Sequence, residues 1–402
     1  MFIVRDVPES DFDQVYELND IAFHERTKED DRDSTDWLFR RAHRIGAYED
    51  GRLIGFLAAL PMHISIPGGA TLPCLGVTYV CVLPTHTRRG VLTAILDRMW
   101  ADRAEPLAAL YVSKARIYGR HGFAAATHAL HVDLDGDRPL ELRVEPAEVP
   151  LRLVPPDGAH KVLAPLYERA MARRAGQFAR DTEWWERAVL PDEDPNDDGL
   201  GAPRVVVAGD SGYAVYRTKG EDTASDAPAL VYVVELEADS AQVEAALWRY
   251  LASIGLTWRV GSLARPVDDL LPLLVADGDV VTVKKRWPAL WLRLSDVPAA
   301  LSGRGYAAPV DLVLDIADER LPANHGRFRL TVAAGGHAGC GRTDDRADLS
   351  LHVRDLAAAY LGDTPVSTLV RAGLVTEHTP GAARRLDAAL HTPLAPFTAD
   401  EF

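Results

Sequence analysis

Cysteine is scarce in this 402-residue chain: Cys74, Cys81 and Cys340 form an odd, scattered set with no C-x-x-C pair. Neither a disulfide framework nor a structural zinc site is indicated, and a reducing compartment is expected. Long apolar runs are missing too. The chain opens Met1-Phe2-Ile3-Val4-Arg5-Asp6 and reaches charge at once, and nothing in it approaches the roughly 18 to 20 apolar residues that span a bilayer. That predicts a cytoplasmic protein without a membrane span. Positive charge is in deficit, with 44 Lys and Arg against 59 Asp and Glu and a formal net charge of -15. Broad binding to a phosphate backbone needs clustered basic side chains, so nucleic acid is not an expected partner. The 13 histidines show no H-E-x-x-H or other close ligand spacing, so no metal site is expected. With 30 Gly and 26 Pro the chain is not a low-complexity polymer, and its composition is that of an ordinary globular protein.

What is present reads as mixed α/β (α+β) in two or three cores, as the length suggests. Ser10 is placed to cap a helix with apolar positions at Phe12, Val15, Tyr16, Ala22 and Phe23, about the helical period. Apolar runs over 52–66, the turn Pro67-Gly68-Gly69-Ala70 and the β-branched Gly76–Val82 run predict an antiparallel meander whose last strand stops at Pro84. After Thr85-His86-Thr87-Arg88-Arg89-Gly90, the positions Val91, Leu92, Ile95, Leu96 and Met99 follow a helix period. Leu107–Val112, a short turn or helix through Tyr118, and a strand near His128–Leu134 close the first unit. Residues 136–156 read as a linker. The middle of the chain repeats the pattern: a hairpin over 204–218, a strand at Leu230–Leu236 and a helix over Ser240–Ser253. Its strand-to-helix junction, Glu237-Ala238-Asp239-Ser240, is acidic and should repel a polyphosphate, so this second copy is expected to be silent. Strand-like runs at 310–316, 328–332 and 349–353, with helices near 355–361 and 382–390, predict a third α+β domain. The expected units are 1–140, 141–288 and 289–402. The acidic run 192–199 reads as a solvated loop, Gly335–Gly341 as a flexible turn without nucleotide-binding context, and Trp184-Trp185 as packing.

The chemistry gathers in two short segments. A helix N-terminus carries roughly half a positive charge and unpaired amides, so a basic, glycine-containing loop feeding one can hold a pyrophosphate. Arg88, Arg89 and Gly90 stand in that place. The strand-loop-helix around them matches the cofactor core of GCN5-related N-acetyltransferases. Together, Val80-Cys81-Val82-Leu83-Pro84-Thr85-His86-Thr87-Arg88-Arg89-Gly90-Val91-Leu92 and Ile117-Tyr118-Gly119-Arg120-His121-Gly122-Phe123 resemble the two signature segments of the Eis (enhanced intracellular survival) acetyltransferases. The likeness extends over the whole chain, including Asp296-Val297-Pro298-Ala299-Ala300-Leu301 and the Glu401-Phe402 end.

The resemblance implies two tandem acetyltransferase-like domains followed by a sterol-carrier-like domain, assembled as a homo-hexamer, that use acetyl-coenzyme A as co-substrate. It implies that the cofactor lies along Val80, Cys81 and Val82, on Arg88, Arg89, Gly90, Val91, Leu92 and Thr93, and beside Ser113 and Lys114. Thr87 departs from the arginine usual in the family, and Lys114 stands where an acidic residue is common; both bear on cofactor affinity. Tyr118 is implied as general acid, which suits a side chain with an ordinary pKa of about 10, and the Phe402 C-terminal carboxylate as general base. An acid-lined pocket for small-molecule polyamines such as aminoglycosides is implied, with Glu25 and Glu401 as carboxylates and Phe23 and Trp37 as walls. Two other readings stand beside it: acetylation of protein lysines, and a non-catalytic protein that binds coenzyme A and lipid.

Overall fold

The computed structural model describes residues 1–28, 32–193, 199–221 and 229–402; the acidic run expected as a loop falls, over 194–198, outside them. The first unit holds β1 (Ile3–Asp6), α1 (Phe12–Phe23), α2 (Arg32–Arg41), β2 (His43–Glu49), β3 (Arg52–Ser65), β4 (Thr71–Val82), α3 (Val91–Asp102), β5 (Leu107–Tyr111), α4 (Ala115–Gly119) and β6 (Ala124–Ala125). The second holds β7 (His128–Asp135), β8 (Leu151–Val154), α5 (His160–Arg173), α6 (Thr182–Trp184), β9 (Arg204–Ala208), β10 (Gly212–Lys219), β11 (Leu230–Ala238), α7 (Ala241–Ala252), β12 (Arg259–Pro266), α8 (Leu271–Leu274) and β13 (Val281–Pro288). After β14 (Leu290–Leu294) and α9 (Val297–Gly303), the third holds β15 (Val310–Ala317), β16 (Gly326–Val332), β17 (Ala338–Arg342), β18 (Leu349–His352), α10 (Val353–Tyr360), α11 (Val366–Arg371), β19 (Thr376–Glu377) and α12 (Ala382–Leu390).

Three mixed sheets result, in the orders β1-β2-β3-β4-β5-β14-β6, β13-β7-β12-β11-β10-β9-β8 and β17-β16-β15-β18-β19. Two strands change places relative to the sequence. β7, the strand expected to close the first unit, pairs with β12 and β13 in the second sheet, whereas β14 returns to the first sheet between β5 and β6. Each acetyltransferase-like sheet is therefore completed by a strand lying outside its own stretch of sequence.

The core follows from the run in β3. Residues Leu53–Leu60 are buried on both faces, and α1, α2 and α3 pack on this strand. Phe56 is fully enclosed and meets Phe39 edge to face, 5.3 Å between ring centroids. Truncating such a residue costs about 3–5 kcal/mol. Ser10 does not cap α1: it lies in a short 3₁₀ turn, Glu9–Asp11, and the cap position is taken by Asp11 without a side-chain bond.

Candidate active site

β4 and β5 run parallel from Cys74↔Leu107 to Gly76↔Ala109. There the ladder stops, while β4 continues to Val82 and β5 to Tyr111. The strands part into a V with Gly76 and Ala109 at its apex. Strand backbone that has lost its neighbour still needs hydrogen-bond partners, so Val80, Cys81 and Val82 border a slot suited to an extended amide-bearing arm. The β3–β4 register slips between Phe56 and Ala58, and Tyr79 in that bulge has φ 50°. A bulge with a non-glycine residue at positive φ is local strain that re-aims a strand.

The loop from Leu83 to Gly90 closes the wide end of the V. Gly90 takes φ 84°, and a Cβ there would meet nothing within 4 Å, so the backbone is open to a ligand. α3 begins at Val91 with no side-chain cap. Its first amides, on Val91, Leu92 and Thr93, therefore face the loop and can take an anion. Arg88, exposed with φ 63°, lies in the loop just before this terminus. Arg89 is already engaged: it donates to Glu49 Oε1 at 2.7 Å and Oε2 at 3.2 Å, and His86 Nε2 lies 2.9 Å from the same carboxylate. These two partners hold the Glu49 carboxyl down at about 2. Thr87 turns its hydroxyl to the Pro84 carbonyl at 3.1 Å, and Ser113 and Lys114 are exposed between β5 and α4.

Tyr118 lies on α4, 6% exposed, with its ring edge-on to Phe123 at 6.2 Å. Burial pushes its hydroxyl up to about 12, with Cys81 the nearby thiol that adds to the shift. It stays protonated across the physiological range. The turn that carries it depends on Gly122, whose φ is 86° and whose Cβ would fall 1.6 Å from Arg293 Nη1. Arg293 threads past Gly122 to donate to the His121 carbonyl and pairs with Asp318 at 2.7 and 3.0 Å.

Phe402 comes to the apex of the V. A Cβ on Gly76 would meet its ring at 3.0 Å and Met62 Sδ at 2.6 Å, so the bare glycine backbone lets both pack closely there. Tyr111 and Phe178 clamp that ring edge to face at 5.7 and 5.3 Å. Upstream, Phe397 N donates to the Ala175 carbonyl at 2.9 Å, and Asp400 is buried at 4% exposure. Sequence reading missed Asp400 and its partner Arg180, because an isolated Asp and Arg 220 positions apart carry no pattern.

A cavity of about 470 Å³ opens beside this end of the chain. Its origin is a proline. Ser65 N and His63 O both bond to the 177–179 segment, so the odd residues of β3 face that edge. The next one back, Pro61, has no N–H, and β2 pairing has begun only at His43↔Ala59. The gap is lined by Arg41, Met62, His63, Arg180, Asp181 and Trp184 among others. Met62 also contacts the Gly76 position where Phe402 packs, so the cavity lies one side chain from the chain end. Of the expected pocket residues, Trp37 backs the wall through Trp184, 5.8 Å ring to ring. Phe23, Glu25 and Glu401 are exposed and do not line this cavity. Its charges are two arginines and one aspartate, and Arg41 pairs with Asp181, so an acidic lining is not what this cavity offers. Surrounding protein raises the Glu401 carboxyl above its ordinary range.

Among the described residues, Asp6, His43 and Asp102 place ligand atoms within 4.8 Å of one another. Arg98 already spans the two carboxylates.

Comparison with known proteins agrees with this geometry. Profiles described as acetyltransferase (GNAT) domains match residues 3–126 and 176–294, and a sterol carrier protein domain matches 297–399. An uncharacterized N-acetyltransferase of Streptomyces avermitilis is 39% identical, with 88% of each chain covered. The N-acetyltransferase Eis of Mycobacterium tuberculosis is 33% identical, covering 89% of this chain and 88% of its own. The crystal structure of Eis1 from Mycobacterium abscessus superposes over 100% of both chains with a TM-score of 0.85 and 32% identity. Matched along its length by these N-acetyltransferases, the chain belongs to the Eis family of GCN5-related N-acetyltransferases.

Proposed function

We propose that the protein transfers the acetyl group of acetyl-coenzyme A to amines of multi-amine small molecules such as aminoglycosides. The observation that carries this reading is the convergence of Phe402 and the open β4 edge at the apex of the V, with Tyr118 beside Cys81 of the same strand. The first unit, within 1–140, holds the chemistry; the second, within 141–288, is silent; and the third, 289–402, delivers the chain end. The protein acts in the cytoplasm as a homo-hexamer.

Bound acetyl-coenzyme A supplies an activated thioester. The backbone of Val80, Cys81 and Val82 holds its amide arm. Arg88, Gly90 and the amides of Val91, Leu92 and Thr93 take its pyrophosphate, with Arg89 reaching it only by leaving Glu49. Ser113 and Lys114 flank the arm. The Phe402 carboxylate accepts the proton of the attacking amine, and the Tyr118 hydroxyl returns one to the departing sulfur. The Gly76 packing orients the carboxylate, and the wall formed by Trp184 and Trp37 keeps water from the acceptor. Glu25 and Glu401 are the carboxylates of an outer approach for a cation, with Phe23 as an apolar wall.

Thiol release from acetyl-coenzyme A, measured with aminoglycosides, polyamines and lysine peptides, tests this. Turnover with aminoglycosides is expected, and extension of the chain beyond Phe402 should collapse it. Turnover with lysine peptides alone would move the acceptor to proteins, and silence with every amine would leave a coenzyme A- and lipid-binding protein.

A further inference from the structure

Ends of chains fray unless something ties them down, and here the tie is ionic. Asp400 Oδ1 accepts from Arg180 Nε at 2.9 Å and from Trp184 Nε1 at 2.8 Å, and its Oδ2 accepts from the Tyr167 hydroxyl at 3.1 Å. Its main-chain carbonyl accepts from the Tyr111 hydroxyl. Arg180 is engaged in turn: both Nη atoms donate to Glu235, and its guanidinium lies 3.8 Å from the Tyr167 ring centre and 4.5 Å from that of Trp185. The side chains of Arg180, Asp400 and Glu235 are 1%, 1% and 4% exposed.

Burying two carboxylates around one guanidinium is a poor way to gain stability, because apolar residues of similar volume often do as well or better. What the charged cluster adds is direction. Phe397 and Phe402 would hold the tail by apolar packing alone, yet rings slide and rotate. The bonds at Asp400 leave from both carboxylate oxygens and the carbonyl, and fix one residue in several directions at once. Only Glu401 then separates that anchor from Phe402, whose ring is pinned by Tyr111 and Phe178. The anchor also gathers all three units: Tyr111 is on β5 of the first sheet, Glu235 on β11 of the second, and Asp400 follows the third.

We propose that the Arg180–Asp400 pair is a positioning device that aims the Phe402 carboxylate at the apex of the β4–β5 V; it rests on the reading of that carboxylate as the base. Arg180 and Asp400 are positioning residues acting through the chain end.

The test is a cycle of four full-length proteins, with Asp or Asn at 400 and with either the native end or a short extension beyond Phe402. Thiol release from acetyl-coenzyme A is followed with neomycin as acceptor, and acetyl-coenzyme A binding by calorimetry. With the native end, Asp400→Asn is expected to lower kcat about tenfold or more, as misplacement of a reacting group does, with acetyl-coenzyme A affinity unchanged. In the extended protein the same substitution should change kcat by less than about twofold, since effects routed through one group do not add. An equal loss in both backgrounds, or no loss with the native end, overturns the proposal. If the extension alone leaves kcat intact, the base reading fails and the positioning role falls with it, a pattern distinct from the other two. Should Asp400→Asn fail to fold, Tyr111→Phe removes one bond from the same anchor and keeps the ring; it should follow the same pattern with a smaller loss.

Discussion

The two acetyltransferase-like units treat the same junction in opposite ways. In the first, β4 leads through Arg88 and a left-handed Gly90 into α3, whose N-terminus has no side-chain cap. In the second, β11 leads into α7, and Ser240 closes the N-terminus by accepting from Val243 N at 3.3 Å. Asp239 beside it is bound by Arg169 and Arg173 at 2.9 Å each. The strand geometry is kept: β11 and β12 pair in parallel only from Leu230↔Arg259 to Tyr232↔Gly261 and then part, and β10–β11 carry a register slip at Val215/Tyr216. Both units therefore share the splayed strands, and the proposed difference in anion binding lies elsewhere. What differs is whether the helix amides are left open or satisfied internally, and which charge faces them.

The largest expected effect falls on the unit proposed to hold the chemistry. Tyr118→Phe should lower kcat by about 10²–10⁴, the usual worth of a positioned proton donor, with acetyl-coenzyme A binding retained. Nothing in the second unit should supply the loss. Full turnover in Tyr118→Phe would remove the acid from the account.

The Tyr118 turn of the first unit also carries a pH signature. Burial, reinforced by Arg320, Arg120 and Arg293, lowers His121 to about 4, against about 6.5 when unfolded. Because the folded value is the lower one, protonation favours the unfolded chain. Stability from this group is intact above about pH 6.5 and drains as pH falls through about 4, reaching about 3 kcal/mol. Denaturant midpoints between pH 7.5 and pH 4 should fall more steeply in the parent protein than in His121→Gln.

Reversing the charge at the first junction imitates the second. Arg88→Glu is expected to raise KM for acetyl-coenzyme A by roughly 10- to 100-fold, the worth of one charge-assisted contact, with the melting temperature nearly unchanged. Opening the second junction is the smallest change: Ser240→Ala should cost about 1 kcal/mol of stability, as cap losses do, and leave KM for acetyl-coenzyme A alone. A shift in KM would mean that the second unit takes part in cofactor binding.

How much was legible in the sequence follows from the range of the interactions. The strand, loop and helix around Arg88-Arg89-Gly90 and the Tyr118 turn could be read because these elements are consecutive, and their pattern is local. The contrast with Glu237–Ser240 was readable for the same reason. The exchange of β7 and β14 was not, since a strand's own residues say it will pair but do not say with which sheet. Nor was the engagement of Arg89 by Glu49, 40 positions away, or the anchor at Asp400, whose partners come from every unit. Trp184 and Trp185, read as packing, do pack, but Trp184 also lends its Nε1–H to that anchor. Ser10 fitted the cap pattern, yet the chain makes a 3₁₀ turn first and moves the cap to Asp11.

The contrast between an open and a closed helix N-terminus is tested most directly by calorimetric titration of acetyl-coenzyme A, counting sites per chain. One site per chain, lost in Arg88→Glu and preserved in Ser240→Ala, is the predicted result. Two sites per chain, or a single site that survives Arg88→Glu unchanged, would contradict the account.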